Sequence, residues 1–273
     1  MIYLWDVLKL FLLFPLVITG LFEISGTSSL TGIRFIKRKY SNYPPFRRHK
    51  VKIKELNELL SGDEKNLKVL DVGCGYGYLL GRLSLTSGIP LMEMHGIDFM
   101  PIELVKSRYK VTEQNYNKNS KTKELPEVIE FQYTQADLER EGLSAYSKHS
   151  FDVIFCSDVL EHLGNTELVL REIKRCLKPG GFFICSVPNP TDVFDRVRFM
   201  CTGNSSRFPL EGEELNYHHV SYFNVKILKN YFRRVGLVPI KFRGDIIHKF
   251  PLISRFDVHG LLFSHSIISV CKA

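Results

Sequence analysis

Three glycines on alternate positions follow an acidic residue at the end of an apolar run: Asp71, Gly73, Gly75 and Gly77. Glycine has no Cβ, so it permits sharp turns and lets a ligand lie directly against the main chain. The pattern therefore predicts a buried strand that ends, turns and presents its backbone to a cofactor. It differs from the dinucleotide motif G-x-G-x-x-G, which would require glycine where the chain has Tyr78.

A second acidic residue lies where a nucleoside-binding sheet needs one. In such sheets an acid at the end of the second strand, about 20 residues after the glycine loop, accepts hydrogen bonds from ribose hydroxyls. Asp98 closes the segment Met94–Ile97 and lies 23 positions after Gly75. We therefore expect Asp98 to bind a ribose.

Histidines that could move a proton occur later in the chain. His162 follows a predicted fourth strand, at the carboxyl edge where open α/β sheets bind ligands. His218 and His219 form a second group. A neutral imidazole at either place could act as general base on a hydroxyl. The alternative is that these histidines only support their loops.

Strand and helix signals alternate along the chain, which predicts a doubly wound α/β sheet. A helix is expected over Lys50–Leu60, before the first strand. The later strands are expected around Ile129–Tyr133, Phe151–Ser157, Phe182–Ile184, Leu237–Arg243 and Ser266–Cys271. A helix with Leu170, Ile173 and Leu177 on one face, ended by a Pro-Gly-Gly turn, is expected before Phe182. Residues 188–223 show no clear period and are interpreted as an insertion that covers the substrate.

These motifs, taken in order, carry a family resemblance. The glycine loop, Asp98, Asp137 after the third strand, the segment Asp158–His162 and the Pro-Gly-Gly turn resemble the class I S-adenosylmethionine (SAM)-dependent methyltransferases. The chain is most similar to the ubiquinone-biosynthesis O-methyltransferase and type 11/12 group. The resemblance runs from about residue 50 to residue 273.

The resemblance implies a fold, a cofactor and a set of cofactor-binding residues. The fold would be Rossmann-like, a doubly wound, mostly parallel sheet of seven strands with helices on both faces, plus an apolar N-terminal helix. The cofactor would be SAM, with the glycine backbone at its methionine part, Asp98 at ribose and Asp137 at the adenine amino group. The remaining implied residues are Asp71, which fixes the loop and reaches the ammonium group, and Ser157.

A divalent metal is an alternative to metal-free catalysis. Asp158-x-x-Glu161-His162 with His219 resembles the Glu-x-x-Glu-His set and later histidine with which some family members hold an ion. A metal would orient and acidify the acceptor hydroxyl. Asp158 is one methylene shorter than glutamate, and metal-free relatives also carry Glu-His here. We therefore expect no metal and take His162 and His219 as the candidate catalytic residues.

The positive charge of the chain is confined to one segment. The sequence has 37 Lys and Arg against 29 Asp and Glu, a net charge of +8. Nine of these cations and no acid lie between Glu23 and Glu55, which leaves 28 basic residues against the 29 acids elsewhere. We therefore divide the chain into an apolar segment 1–30, a basic linker 31–54 and a nearly neutral methyltransferase domain 55–273.

The apolar run Leu10–Phe22 precedes the basic linker. A cleaved signal peptide would carry its positive charge before the apolar run, whereas here the charge follows it. A spanning helix needs about 20 apolar residues. The run has 13, and it barely reaches that length even with its upstream extension from Ile2 to Leu8, which Asp6 and Lys9 interrupt. An in-plane anchor with the basic linker on anionic headgroups fits better, and would place the domain on the cytoplasmic face of a membrane. A helix packed on the domain itself is the remaining interpretation.

The partners follow from these features. We expect a small-molecule acceptor with a hydroxyl group, of lipid-linked, quinone or glycan type. Tyr40, Tyr43 and Phe46 interleave with the basic linker as in a single-strand binding surface, but they flank Pro44 and Pro45 and can equally pack on the domain. An RNA or protein methyltransferase is therefore the alternative, and a non-catalytic SAM-binding protein is a further one.

Overall fold

Seven strands of the chain join in one sheet in a computed structural model. They are β1 (Leu67–Val72), β2 (Leu91–Asp98), β3 (Gln132–Gln135), β4 (Phe151–Ser157), β5 (Leu177–Pro188), β6 (Val238–Gly244) and β7 (Ser266–Lys272). Their order is β3-β2-β1-β4-β5-β7-β6. The first five strands pair in parallel, and β7 pairs antiparallel with both β5 and β6. The predicted seven-stranded, mostly parallel sheet is confirmed.

The structure describes residues 47–60, 66–84, 91–103, 131–203, 219–245, 261–262 and 264–273. All of them belong to one compact unit, Pro45–Ala273. The predicted apolar helix within residues 1–30, His218 and most of the basic linker lie outside the described residues. Within the described ranges, no helix is long and apolar enough to cross a membrane.

Five α-helices accompany the sheet among these residues: α1 (Arg47–Leu59), α2 (Tyr78–Ser84), α3 (Thr166–Cys176), α4 (Val193–Thr202) and α5 (Val225–Arg234). Side chains of Asn165, Asp192 and Asn224 accept hydrogen bonds from the first turns of α3, α4 and α5, which satisfies main-chain donors there. The boundary predicted at residue 54, between basic linker and domain, falls inside α1.

The apolar side chains of the sheet alternate between two cores, one on each face. Leu70 and Ile154 pack with residues of α3 and α5, including Leu170 and Phe232. Their neighbours along the strands, such as Val69, pack on the other face with residues of α1 and α2. Burial on both faces is what a parallel sheet with helices on each side requires.

Two local predictions differ from the structure. Helix α4 occupies part of the region 188–223, where no period was found. Its apolar residues Phe199 and Met200 are exposed, so no buried stripe marks the helix. The Pro-Gly-Gly turn lies within β5, where Leu177 pairs with Phe151 before the register shifts. Because Leu177 continues the apolar stripe of α3, the sequence alone placed it on the helix.

The turn after β1 packs against the segment that follows β4. Gly73 has φ +68°, and a Cβ at this position would lie 2.1 Å from Cγ2 of Val159. The amides of Gly73 and Cys74 both donate to the carbonyl of Ile97, at 2.8 and 3.1 Å. The turn is thereby held between the end of β2 and Val159, which leaves no room for a side chain.

Gly73→Ala should destabilise the domain by about 2–4 kcal/mol, since it adds both a left-handed non-glycine residue and a steric clash. Gly203→Ala is the matched control, because Gly203 has φ +70° but no atom within 4 Å of an added Cβ. The control should lose only about 1–2 kcal/mol. Urea unfolding measures both free energies, and equal losses would show that the contact with Val159 contributes nothing.

Candidate functional site

A cavity of about 820 Å³ opens at the carboxyl edge of the sheet. It lies where β1 is flanked by β2 on one side and β4 on the other, which is the point at which the strand order reverses. Open α/β sheets bind ligands at such a point. The wall includes Gly73, Gly75, Tyr76, Asp98, Phe99, Met100, Asp137, Asp158, Val159, His162, Leu163 and Val220.

Asp98 is hydrogen-bonded to the main chain of the glycine loop. Its Oδ2 accepts a hydrogen bond from the amide of Gly75 at 2.8 Å, and its Oδ1 accepts one from the amide of Met100 at 3.2 Å. A carboxylate has about four acceptor positions, so two remain for a ligand. The geometry therefore fits the predicted ribose contact, with the loop backbone and the acid held in one rigid unit.

Asp137 lies at the start of the turn after β3, on the wall of the same cavity. Its side chain is about half exposed and accepts a hydrogen bond from the amide of Glu139 at 2.9 Å. The structure therefore brings Asp137 to the cavity together with Asp98. Its contact with adenine stays a prediction.

Asp71 is buried beneath the loop. Its Oδ1 has no hydrogen-bond partner among the described residues. Burial raises the pKa of Asp71 to about 7, although the nearby ammonium of Lys52 lowers it. A buried carboxylate oxygen without a donor suits a cation or an N–H group. Asp71 is not part of the cavity wall, however, so its contact with the cofactor's ammonium group stays a prediction. With the bare glycine turn and Asp98, the site fits the predicted cofactor, SAM.

Gly77 and Ser157 have structural contacts of their own. Gly77 has φ +73°, donates its amide to the carbonyl of Cys74 at 2.9 Å, and lies where a Cβ would be 2.6 Å from the ring of Phe131. The Ser157 hydroxyl accepts a hydrogen bond from Lys52 Nζ. The cofactor-binding roles of both residues stay predictions.

Main-chain hydrogen bonds bring the two predicted catalytic histidines together. A 3-10 turn, Leu160–His162, follows β4. The carbonyl of Glu161 in this turn accepts the amides of Val220 and Ser221 at 2.9 and 3.0 Å. As a result, the ring centroids of His162 and His219 lie 4.9 Å apart, and the two rings meet edge to face.

Glu161 is the buried member of this group, with 1% of its surface exposed. Neither of its carboxylate oxygens has a hydrogen-bond partner among the described residues. Burial raises the pKa of Glu161, and the negative charge of Asp158 raises it further. One potential ligand atom each of Glu161, His162 and His219 lies within 4.8 Å of the others.

Asp158, the fourth residue of the metal alternative, has other contacts. It forms an ion pair with Arg48, and its Oδ1 accepts a hydrogen bond from the Ser186 hydroxyl at 3.0 Å. Three of the four residues therefore meet, and the fourth is held by cationic and hydroxyl groups. The possible ligand group among the described residues is thus Glu161, His162 and His219, without Asp158, and metal-free catalysis stays a prediction.

Helix α1 contributes charged side chains to this site, which the sequence motifs did not predict. Arg48 and Lys52 were assigned to the basic linker, yet Arg48 reaches Asp158 and Lys52 is completely buried. Glu55, on the same helix face, is also buried and pairs with Lys241 and Arg243. The spacing of these charges, every three to four residues beside buried Val51 and Leu56, was the available signal.

Comparisons of sequence identify relatives of the chain. A methyltransferase domain family matches residues 46–241. The chain is 32% identical over 126 residues to a ubiquinone biosynthesis O-methyltransferase of Haemophilus ducreyi, a match that covers 45% of this chain and 46% of the relative. Over 224 residues it is 28% identical to a demethylmenaquinone methyltransferase of Staphylococcus aureus, with 77% and 84% covered. The chain thus spans about half the length of the ubiquinone-biosynthesis relatives it matches.

Solved structures share the fold. A SAM-dependent methyltransferase from Archaeoglobus fulgidus aligns with a TM-score of 0.52 at 17% identity, covering 88% of this chain and 99% of that one. A SAM-dependent methyltransferase from Mesorhizobium loti aligns with a TM-score of 0.51 at 16% identity, covering 81% and 96%. At these identities the likeness concerns the fold alone.

The pKa of Asp71 predicts a pH-dependent affinity for SAM. If Asp71 contacts the cofactor's ammonium group as predicted, it attracts that group above about pH 7, where the carboxyl is ionised, and loses this attraction below it, where the carboxyl is protonated. We expect the Kd for SAM to rise roughly fivefold between about pH 8 and about pH 6. Asp71→Asn should bind more weakly at the higher pH and show little change between the two.

Isothermal titration calorimetry at several pH values measures these constants. Titration with S-adenosylhomocysteine, which keeps the ammonium group but lacks the sulfonium, is the control and should show the same trend. An Asp71→Asn protein with the pH profile of the original chain would contradict the assignment.

Proposed function

This chain belongs to the class I SAM-dependent methyltransferases, and on that premise we propose that it transfers a methyl group to a hydroxyl of a small-molecule acceptor of quinone, lipid-linked or glycan type. One observation carries the proposal. A single cavity joins the glycine loop and Asp98, which fit the cofactor, to His162, which fits an acid–base role. Residues suited to the methyl donor and a residue suited to the acceptor hydroxyl thereby line the same cavity.

The residues of the chain would divide the work as follows. When bound, SAM supplies a methyl group on a sulfonium, whose sulfur keeps the electron pair as the methyl leaves. The glycine turn and Asp98 fix where that methyl lies. The imidazole of His162 takes up the proton of the acceptor hydroxyl as the oxygen attacks. His219, held against His162 through Glu161 and Val220, orients this imidazole.

The apolar side chains of the cavity wall beside His162 favour an apolar acceptor. Val159, Leu163 and Val220 line the cavity there, and Val220 is 60% exposed at its rim. Apolar side chains around a few polar groups are typical of small-molecule sites. A phosphate backbone would instead call for clustered lysine and arginine.

The names of the relatives support a quinone-type acceptor. Two of them act in ubiquinone biosynthesis or on demethylmenaquinone, and the first name specifies transfer to oxygen. The identities of 32% and 28% leave the acceptor of this chain as a proposal. Label transfer from SAM into separated lipid, polar small-molecule, RNA and protein pools of a cell extract tests it. Label in the lipid pool is the expected result, and label only in RNA or protein would refute the substrate class.

If His162 is the general base, its removal should slow chemistry without weakening cofactor binding. With a quinone-type phenol as acceptor, we expect His162→Ala to lower kcat by about 10²–10⁴-fold, with the Kd for SAM unchanged. His149→Asn is the matched control, because His149 is an exposed turn residue on another part of the surface. A His162→Ala enzyme with full kcat would exclude this base.

The same kcat assay distinguishes metal-free catalysis from the metal-dependent alternative. In metal-free catalysis, exhaustive treatment with EDTA leaves kcat unchanged. Loss of activity that Mg²⁺ or Zn²⁺ restores would assign Glu161, His162 and His219 to an ion instead. The histidines would then act as ligands, and their replacement would also abolish ion binding measured in the absence of acceptor.

We further propose that residues 1–54 bring the domain to the cytoplasmic face of a membrane. The support is the sequence alone, an apolar run followed by a segment with nine cations and no acid. Arg48 and Lys52 face the interior of the domain, which leaves seven of these cations for the headgroups. Deletion of residues 1–30 should move the protein from the membrane to the soluble fraction of a cell lysate. The truncated protein must still bind SAM, which controls for folding. Unchanged fractionation of a SAM-binding truncated protein would refute the anchor.

A further inference from the structure

Lys52 is a fully buried cation at the carboxyl edge of the sheet, with none of its surface exposed. It projects from α1 and donates from Nζ to the hydroxyl of Ser157 and, at 3.0 Å, to that of Ser186. Ser157 and Ser186 are register partners at the ends of β4 and β5. One ammonium group therefore joins the ends of two neighbouring strands.

Stability alone does not account for this lysine. Removing an ammonium group from water costs several kcal/mol, and apolar replacements of buried ion pairs are often neutral or stabilising. The proposed general base and cofactor contacts make no use of Lys52. A role in the site therefore explains the buried charge better than a contribution to stability does.

The contacts of Lys52 lead to the strained residue at the cavity wall. Ser186, which accepts from Lys52, donates its own hydroxyl proton to Asp158 Oδ1 at 3.0 Å. Asp158 has φ +55°, a left-handed conformation that non-glycine residues adopt only when their surroundings enforce it. Its amide donates to the carbonyl of Ser186 at 2.8 Å, and Arg48 pairs with its carboxylate.

The conformation of Asp158 decides where the following residues go. Val159 comes next and packs against Gly73, and the turn that carries His162 follows directly. Displacement of a reacting group by about 1 Å can cost 10²-fold in rate. A residue that fixes Asp158 therefore fixes the distance between the glycine loop and His162.

Lys52 also acts on the cofactor side of the site. Its charge lowers the pKa of Asp71, the buried carboxyl beneath the glycine loop. Burial lowers the pKa of Lys52 itself, and the carboxylates of Asp158 and Asp71 oppose that change. The other charged or titratable groups that interact with Lys52 are Arg48, His49, Glu161 and the thiols of Cys156 and Cys185.

We propose that Lys52 is a positioning residue shared by the two halves of the site: it holds Asp158, and so the turn of His162, and it balances the charge of Asp71 under the cofactor. The inference rests on the proposed function, since it concerns how that reaction is aligned. Lys52 does not line the cavity; it acts through Ser186, Asp158 and Asp71.

Lys52→Met tests the proposal, because methionine keeps the length of the side chain and removes its charge. We expect kcat to fall by about 10²-fold. We also expect the pH midpoint of SAM binding to move upward by about one unit, since Asp71 loses the cation that favours its ionised form. Ser186→Ala should lower kcat in the same direction but leave the SAM-binding midpoint in place, because Lys52 remains beside Asp71.

Lys241→Met is the matched control. It also removes a cation that pairs with a buried residue of α1, Glu55, but it lies outside the proposed site and leaves Arg243 on the same carboxylate. We expect its melting temperature to fall, with kcat and the SAM profile unchanged. If Lys241→Met reproduces the changes seen in Lys52→Met, Lys52 only anchors the helix and the proposal is overturned.

The two measurements also separate failure of this inference from failure of the proposed function. SAM binding needs no acceptor, so an unchanged midpoint in Lys52→Met overturns the inference even if the acceptor class is wrong. If the original chain transfers no methyl to any hydroxyl acceptor, the proposed function fails while the shift in midpoint still tests Lys52. If Lys52→Met does not fold, an unaltered kcat in Ser186→Ala overturns the inference.

Discussion

The parallel pairing of β1 with β4 determines where the rest of the site lies. Val72, the last residue of β1, is in register with Cys156, so β4 ends one residue beyond β1 at the same edge of the sheet. The glycine turn and the segment beginning at Asp158 therefore leave the sheet side by side, and Val159 occupies the space that a side chain at position 73 would need. The glycine turn and the segment that leads to His162 thus both start from this strand pair and are in contact at Gly73 and Val159.

Because these strand ends lie side by side, several acidic side chains are brought close together and need cations to offset their charge. Asp71, Asp98, Asp158 and Glu161 are acids gathered around the same strand ends, and Asp71 and Glu161 have raised pKa values chiefly because they are buried. Compensating cations must come from outside the motifs that define the sheet edge. Helix α1 supplies them through Arg48 and Lys52, which makes the helix before β1 a part of the site as well as a cover for the sheet.

The sequence predicted those parts of the molecule whose signals are local. A glycine turn after an apolar run and an acid at the next strand end are each encoded within a few residues, and both Gly75 and Asp98 line the cavity. Long-range contacts were out of reach. Lys52 meets Ser157 across 105 positions, so its burial is invisible in a basic stretch. Helix α4 was missed because Phe199 and Met200 are exposed and no apolar residue of the helix is fully buried.

Helix α1 also changes how the domain can be delimited. Its inward charges lie at positions 48, 52 and 55, on both sides of the point where the composition of the chain changes from basic to neutral. A fragment that begins at residue 55 would retain every motif by which the family is recognised. It would nevertheless start in the middle of a helix and leave the interior carboxylates without two of the cations that offset them. The change in composition therefore places the start of the domain at residue 55, whereas the contacts of Arg48 and Lys52 place it before residue 48.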